Sequence, residues 1–337
     1  MSGPATVLIL SDPHYAGPAE QARRGYELAC APNWVVRRLL AIYRGCYWLR
    51  DPLGNGPFLE AFLQRSGPAD IVVANGDYSA DSAFIGLMDD AAFSSAQECL
   101  AKLRTRFGNR LHATIGDHEL GKTSLVGGKG GLRLGSWSRT VNELGLQPFW
   151  QFSRGAYVLI GVTSTLLALP VLLREAPLEE HAAWEALRRE HLETVRRAFS
   201  ALQPDQRVLL FCHDPTALPF LAELPEVAAR LGQIEATVIG HLHSQLILRK
   251  SRLLAGLPPI RWLGVSIARM STALHQAKVW RRFNVQLCPS LSGIQLLKDG
   301  GWLTVELDLS ARQPANFCFH PLPWTSVTNC TGTRAAI

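Results

Sequence analysis

Five apolar runs in this chain each end in aspartate or histidine. Val7-Leu8-Ile9-Leu10 leads into Asp12-Pro13-His14, and Ile71-Val72-Val73-Ala74 into Asn75-Gly76-Asp77. Leu111-His112-Ala113-Thr114-Ile115 leads into Gly116-Asp117-His118-Glu119. Val208-Leu209-Leu210-Phe211 leads into Cys212-His213-Asp214, and Thr237-Val238-Ile239 into Gly240-His241-Leu242-His243. The runs read as strands and alternate with helical patterns, which predicts an α/β chain. A strand delivers side chains at its C-terminal end, where a loop can turn them inward. Carboxylate oxygen and imidazole nitrogen are ligands that divalent transition metals take.

In this order the blocks resemble the calcineurin-like metallophosphoesterase superfamily, whose pattern is D-x-H, G-D, G-N-H-[D/E], a lone His, and G-H-x-H. The match covers roughly residues 5–245, and five of the ten histidines fall inside the five blocks. One departure stands out: Asp117 occupies the position of the family's Asn. A carboxylate still ligates, but it adds a negative charge, which makes a bound water less acidic and alters metal preference.

The resemblance implies a two-sheet α+β sandwich flanked by helices, with the site loops on one edge. It implies two divalent metal ions (Mn, Fe or Zn). Asp12, His14, Asp77 and His243 would hold one, and Asp77, Asp117, His213 and His241 the other, with Asp77 bridging. Asp117 and His118 would be the catalytic pair, His118 acting on a phosphoryl oxygen or leaving group without ligating metal. Two divalent ions, three carboxylates and a bridging hydroxide sum to zero charge. That favours a diester or pyrophosphate over a dianionic monoester, or else a metal ion of higher charge.

At 337 residues the chain can bury a full core, and at 47% hydrophobic and 18% charged it is globular. Seven cysteines, an odd number without C-x-x-C spacing, and an N-terminus without signal character lead to the expectation of reduced thiols in a cytoplasm. No apolar run reaches the 18 or so residues that a bilayer span needs.

The net charge of +6 is unevenly spread: nine of the 34 basic residues lie between Ala236 and Lys298, where there is no acid. That concentration points to an anionic partner beside Gly240-His241-Leu242-His243.

One phosphoesterase domain is expected over residues 1–310, with basic cap insertions at about 20–60 and 246–285 and a surface tail over 311–337. In the first cap, Val36, Leu39, Leu40, Tyr43 and Tyr47 recur at helical spacing. Arg37, Arg38 and Arg44 fall on the opposite arc, with Trp34 and Trp48 near the ends. This is either a membrane-surface helix or one packed on its own core. The second cap interleaves Arg249, Lys250, Arg252, Arg261, Arg269, Lys278, Arg281 and Arg282 with Leu253, Leu254, Leu257, Trp262, Leu263 and Trp280. That mixture suits an amphiphilic anion better than nucleic acid, a solvated structural cap being the alternative. The two caps are expected to adjoin over the site as an apolar-walled groove rimmed by cations.

Residues 121–139, rich in glycine and cations, read as a mobile loop beside the third block. Lys122, Arg281 and Arg282 are the candidate substrate-binding cations. The string Gly116-Asp117-His118-Glu119-Leu120-Gly121-Lys122-Thr123 also fits the P-loop pattern. Asp117 and Glu119 inside such a loop would repel phosphate, so that reading is rejected. A helix over about 180–203 is structural, and His112, His181, His191, His275 and His320 read as surface or hydrogen-bonded histidines.

Three functions follow for comparison. The first is a metal-dependent hydrolase of a lipid-linked phosphate or pyrophosphate at the inner membrane face, similar to the bacterial UDP-diacylglucosamine pyrophosphohydrolases. The second is a soluble phosphodiesterase or phosphatase on nucleotides or phosphoproteins. The third is a non-catalytic metal-binding scaffold, against which every ligand position retains a competent side chain.

Overall fold

The computed structural model describes residues 4–260, 262 and 265–324. Arg261, Leu263, Cys330 and the tail beyond Trp324 therefore lie outside the described residues.

Among the described residues, ten strands form two five-stranded sheets. They are β1 (Ala5–Leu10), β2 (Ile71–Ala74), β3 (Leu111–Ala113), β4 (Phe149–Arg154), β5 (Tyr157–Val162), β6 (Arg207–Cys212), β7 (Ile234–Ile239), β8 (Val285–Leu287), β9 (Gly301–Leu307) and β10 (Asn316–Pro321). The first sheet runs β10-β9-β1-β2-β3 and the second β4-β5-β6-β7-β8. Strands β1, β2 and β3 are parallel, and so are β5 to β8. Val7, Ile9, Val73, Leu159, Leu209, Phe211, Val238 and Val305, drawn from both sheets, form one apolar cluster. Their alternates Leu8, Leu10, Val72, Ile160 and Leu210 join a second cluster with helical residues. Burial on both faces explains why these strands read as unbroken apolar runs. Each such side chain contributes about 1.5–3 kcal/mol of burial.

Helices flank the sandwich: α1 (Trp34–Cys46), α2 (Gly56–Arg65), α3 (Asp90–Phe107), α4 (Asp117–Leu120), α5 (His181–Ser200), α6 (Gln245–Leu253) and α7 (Val265–Gln276). Their starts follow local chemistry. The Asn33 side chain accepts from Val36 N–H at 2.9 Å, Asp89 from Ala92 at 3.0 Å, and Ser244 from Leu246 at 3.2 Å.

Several expectations change here. Residues 316–321, assigned to a surface tail, form β10 and pair antiparallel with β9. The strand lies at the sheet edge and is half exposed, so its sequence carries little apolar signal. The glycine-rich loop after α4 is anchored at points along it, while Leu125 and residues 127–129 stay exposed. Gly130, at φ +85°, leaves room for the Phe84 carbonyl that a Cβ would strike, and Ser124 N–H donates to Lys129 O at 2.8 Å. Helix α1 does not sort as its period implied: Leu39 is exposed, while Arg44 turns inward to pair with Glu27. His191 is buried, with its Nε2 unpartnered, rather than at the surface.

Candidate metal centre

Parallel pairing brings the C-terminal ends of β1, β2 and β3 to one edge, and those of β6 and β7 to one edge of the other sheet. A bridge between Ser11 and Ser290 links the ends of β1 and β8 across the two sheets. The loops leave these strands sharply. Asp12, His14, Asp77, His241 and His243 all have positive φ, between 41° and 61°. Non-glycine residues adopt that region rarely, at a cost of about 1–3 kcal/mol each, and such strain gathers at functional sites. Gly76 lets the second loop pass against Gly116 and His213, where any Cβ would collide. Glu119 then ties the loops together: its carboxylate accepts from Tyr78 N–H at 2.8 Å, Gly116 at 2.8 Å and Asp77 at 3.0 Å.

The side chains converge around Asp77. Asp77 Oδ2 lies 3.2 Å from His213 Nε2, 3.7 Å from His118 Nε2 and 3.9 Å from His14 Nε2. On one side Asp117 Oδ1 is 3.2 Å from His213 Nε2 and 3.0 Å from His241 Nδ1. On the other, Asp12 Oδ1 is 3.2 Å from His243 Nε2 and 3.6 Å from His14 Nε2. Two compact donor sets result, Asp77-Asp117-His213-His241 and Asp12-His14-His243, with a third group joining His14, Asp77 and His118.

These donors fit divalent ions. Asp77 Oδ2 and His213 Nε2 are buried without a hydrogen-bond partner, and His14 Nε2 faces His243 Nε2 at 3.0 Å. Buried polar atoms are normally satisfied, so inward-facing lone pairs of this kind call for a cation. The electrostatics agree. Burial alone would raise the pKa of Asp12 and Asp117, yet His213 and its neighbours hold Asp12 low, and Lys122 and His241 hold Asp117 low. Burial pushes His243 down to about 4, and His118 is also lowered, by burial and by Lys122. Burial is outweighed at His213 and His241, which are raised by Asp77 and Asp117 respectively.

The site resembles that of the calcineurin-like metallophosphoesterases.

No family model and no curated protein sequence matches the chain. Solved structures with a similar course include a dimetal phosphatase from Danio rerio. That likeness has 14% identity, covers 91% of this chain and 93% of that one, and has a TM-score of 0.44. A purple acid phosphatase from yellow lupin seeds has 10% identity, 97% and 55% coverage and a TM-score of 0.41. A predicted phosphoesterase from Streptococcus pneumoniae has 10% identity, 95% and 100% coverage and a TM-score of 0.27.

A cavity of about 480 Å³ opens over the centre. His14, His118, His241 and His243 lie at it, with walls that include Tyr43, Tyr47, Trp48, Leu254, Met270 and Trp280. The two cap regions meet there, Lys250 Nζ donating to Tyr47 Oη at 3.1 Å. Lys122 lines the cavity, 3.5 Å from Asp117 Oδ2 and in contact with His118 Nε2. Arg281 and Arg282 do not. They sit exposed on the 3-10 segment Ala277–Phe283, which turns Trp280 and Phe283 inward and leaves the two cations outside.

Sequence reasoning named three further residues without giving them a place at the site. Trp48 stacks on His243. Asp214 Oδ2 lies 3.9 Å from His241 Nε2. Arg269 lines the cavity, and only its place among the basic residues of the second cap marked it.

Proposed function

We propose that this chain is a dinuclear-metal-dependent phosphohydrolase whose substrate is an amphiphilic, lipid-linked phosphate or pyrophosphate. The observation that carries the reading is the convergence of Asp12, His14, Asp77, Asp117, His213, His241 and His243 beneath an apolar-walled cavity that His14, His241 and His243 line. Two metal ions held there would polarise phosphoryl oxygens and lower the pKa of a coordinated water. Asp77 would serve both sites, its Oδ2 standing near donors of each. His118 Nε2, beside Asp77 and Lys122 and open to the cavity, would stabilise a phosphoryl oxygen or protonate the leaving group. Lys122 offsets the charge of Asp117 and binds the phosphoryl group.

The apolar walls support the lipid part of the reading, and so does the outer rim. Trp34 is 74% exposed, Leu253 84% and Trp262 81%, with Arg37, Arg38, Arg249 and Arg252 nearby in sequence. Exposed aromatic and aliphatic groups among cations suit an anionic bilayer at the inner face of the cell membrane. No described helix is long and apolar enough to cross one. The test is twofold. Metal-loaded protein should hydrolyse an acylated phosphoester faster than its water-soluble analogue, and it should sediment with anionic but not neutral vesicles, less so at high salt. Preference for the soluble ester with no vesicle binding would replace this reading with a soluble phosphodiesterase.

A further inference from the structure

Resting on the hydrolase reading, we infer that Arg269 is the cap's contact with the anionic group of the substrate and that Glu175 is its positioning residue. Arg269 sits on α7, within the second cap, and lines the same cavity as His118, His241, Asp214 and Lys122. Its Nη1 lies 3.5 Å from both oxygens of Glu175, whose side chain is 1% exposed. The same carboxylate accepts from Thr123 N–H at 3.1 Å, one residue beyond Lys122. A single buried carboxylate therefore fixes both the backbone beside one cavity cation and the guanidinium of another.

Each of the other cavity cations has a closer side-chain partner. Arg44 is paired with Glu27. Lys122 stands between Asp117 and His118. Lys250 is bound to the Tyr47 hydroxyl. Among the described residues the Arg269 guanidinium has only the two long contacts to Glu175, both through Nη1. A planar guanidinium presents a fork of donors matched to two oxygens of a phosphoryl group. With one nitrogen held by Glu175, the rest of the fork serves an oxyanion in the cavity.

The experiment uses the full, metal-loaded protein with inorganic phosphate as probe. Phosphate binding is measured by calorimetry and by competition against p-nitrophenyl phosphate hydrolysis. Arg269→Gln should weaken phosphate binding and raise KM by about 10- to 100-fold, the value of a hydrogen bond to a charged group. The change in kcat should be smaller, and metal content should be unchanged. Arg269→Lys should recover part of the loss, and Glu175→Gln should shift phosphate affinity in the same direction. In the wild type, phosphate should slow hydrogen exchange along residues 265–276, a readout that needs no variant to fold. Wild-type phosphate affinity in Arg269→Gln, or exchange in α7 indifferent to phosphate, overturns the assignment. Metal-loaded wild type that neither hydrolyses esters nor binds phosphate overturns the hydrolase reading itself.

Discussion

The Trp48 indole stacks on the His243 imidazole, with ring centres 4.9 Å apart and planes 28° from parallel. Trp48 belongs to the first cap insertion, and His243 closes the last ligand block. The stack carries cap packing directly onto a candidate metal ligand. Its backbone is fixed from the other side, Gln295 N–H donating to Trp48 O at 2.7 Å. Groups that orient a ligand commonly govern metal affinity by 10- to 100-fold. Trp48→Ala should weaken Mn²⁺ binding by about tenfold on that scale, whereas Trp48→Phe should retain most of it. Calorimetric titration of the metal-free protein checks this, and unchanged affinity in Trp48→Ala would reduce the stack to simple packing.

Asp117 and Lys122 form a second coupled pair, 3.5 Å apart. Asp117→Asn should still bind metal through its amide oxygen, with an altered metal preference or pH optimum. It also leaves Lys122 without its counter-charge. Lys122→Met should therefore cost less in the Asp117→Asn background than in wild type. A double-mutant cycle on kcat/KM should give a coupling of about 0.5–3 kcal/mol. Strict additivity would mean that the two charges act independently.

His118→Ala should leave metal content near normal and lower turnover by about 10²–10⁴-fold, the usual share of a positioned acid or base. The loss should be greatest for esters with poor leaving groups. Full activity on such an ester would remove His118 from the chemistry.

His191 sets a pH limit on stability far from the ligand loops. It is buried on α5 against Phe149, and burial lowers its pKa from the ordinary 6.5 to about 4. The unfolded chain binds a proton at this position below pH 6.5, while the folded protein does not until about pH 4. Stability is thus lost as pH falls through that window, by roughly 3 kcal/mol from this group when complete. Replacing His191 with Leu should flatten the fall in thermal midpoint between pH 6.5 and 4. An unchanged slope would assign acid sensitivity to other groups.

The ligand blocks were legible because each is local: an apolar run, a turn, then Asp or His. Strand ends on parallel neighbours must share an edge, so order along the chain carried the site. Glu119 was visible as a motif letter, but its clamp on the Asp77 loop was not, since nothing local links residues 77 and 119. Strand β10 was missed because an exposed edge strand has no buried face to impose a pattern.

By itself the sequence determined the main strands and the candidate ligand residues at their ends, and it marked two basic, aromatic-rich segments. These follow from periodicity and residue chemistry within a few positions. Only the tertiary structure decided which cations serve the cavity. Arg269, Lys122, Arg44 and Lys250 line it, Arg44 paired with Glu27 and Lys250 with Tyr47, while Arg281 and Arg282 face solvent. The physical reason is that a cation's role depends on the carboxylate it meets, and those partners, Glu175 for Arg269 and Glu27 for Arg44, come from other elements. Helical phase fixes which residues share a face. It does not say whether that face meets water, a cavity or a buried charge.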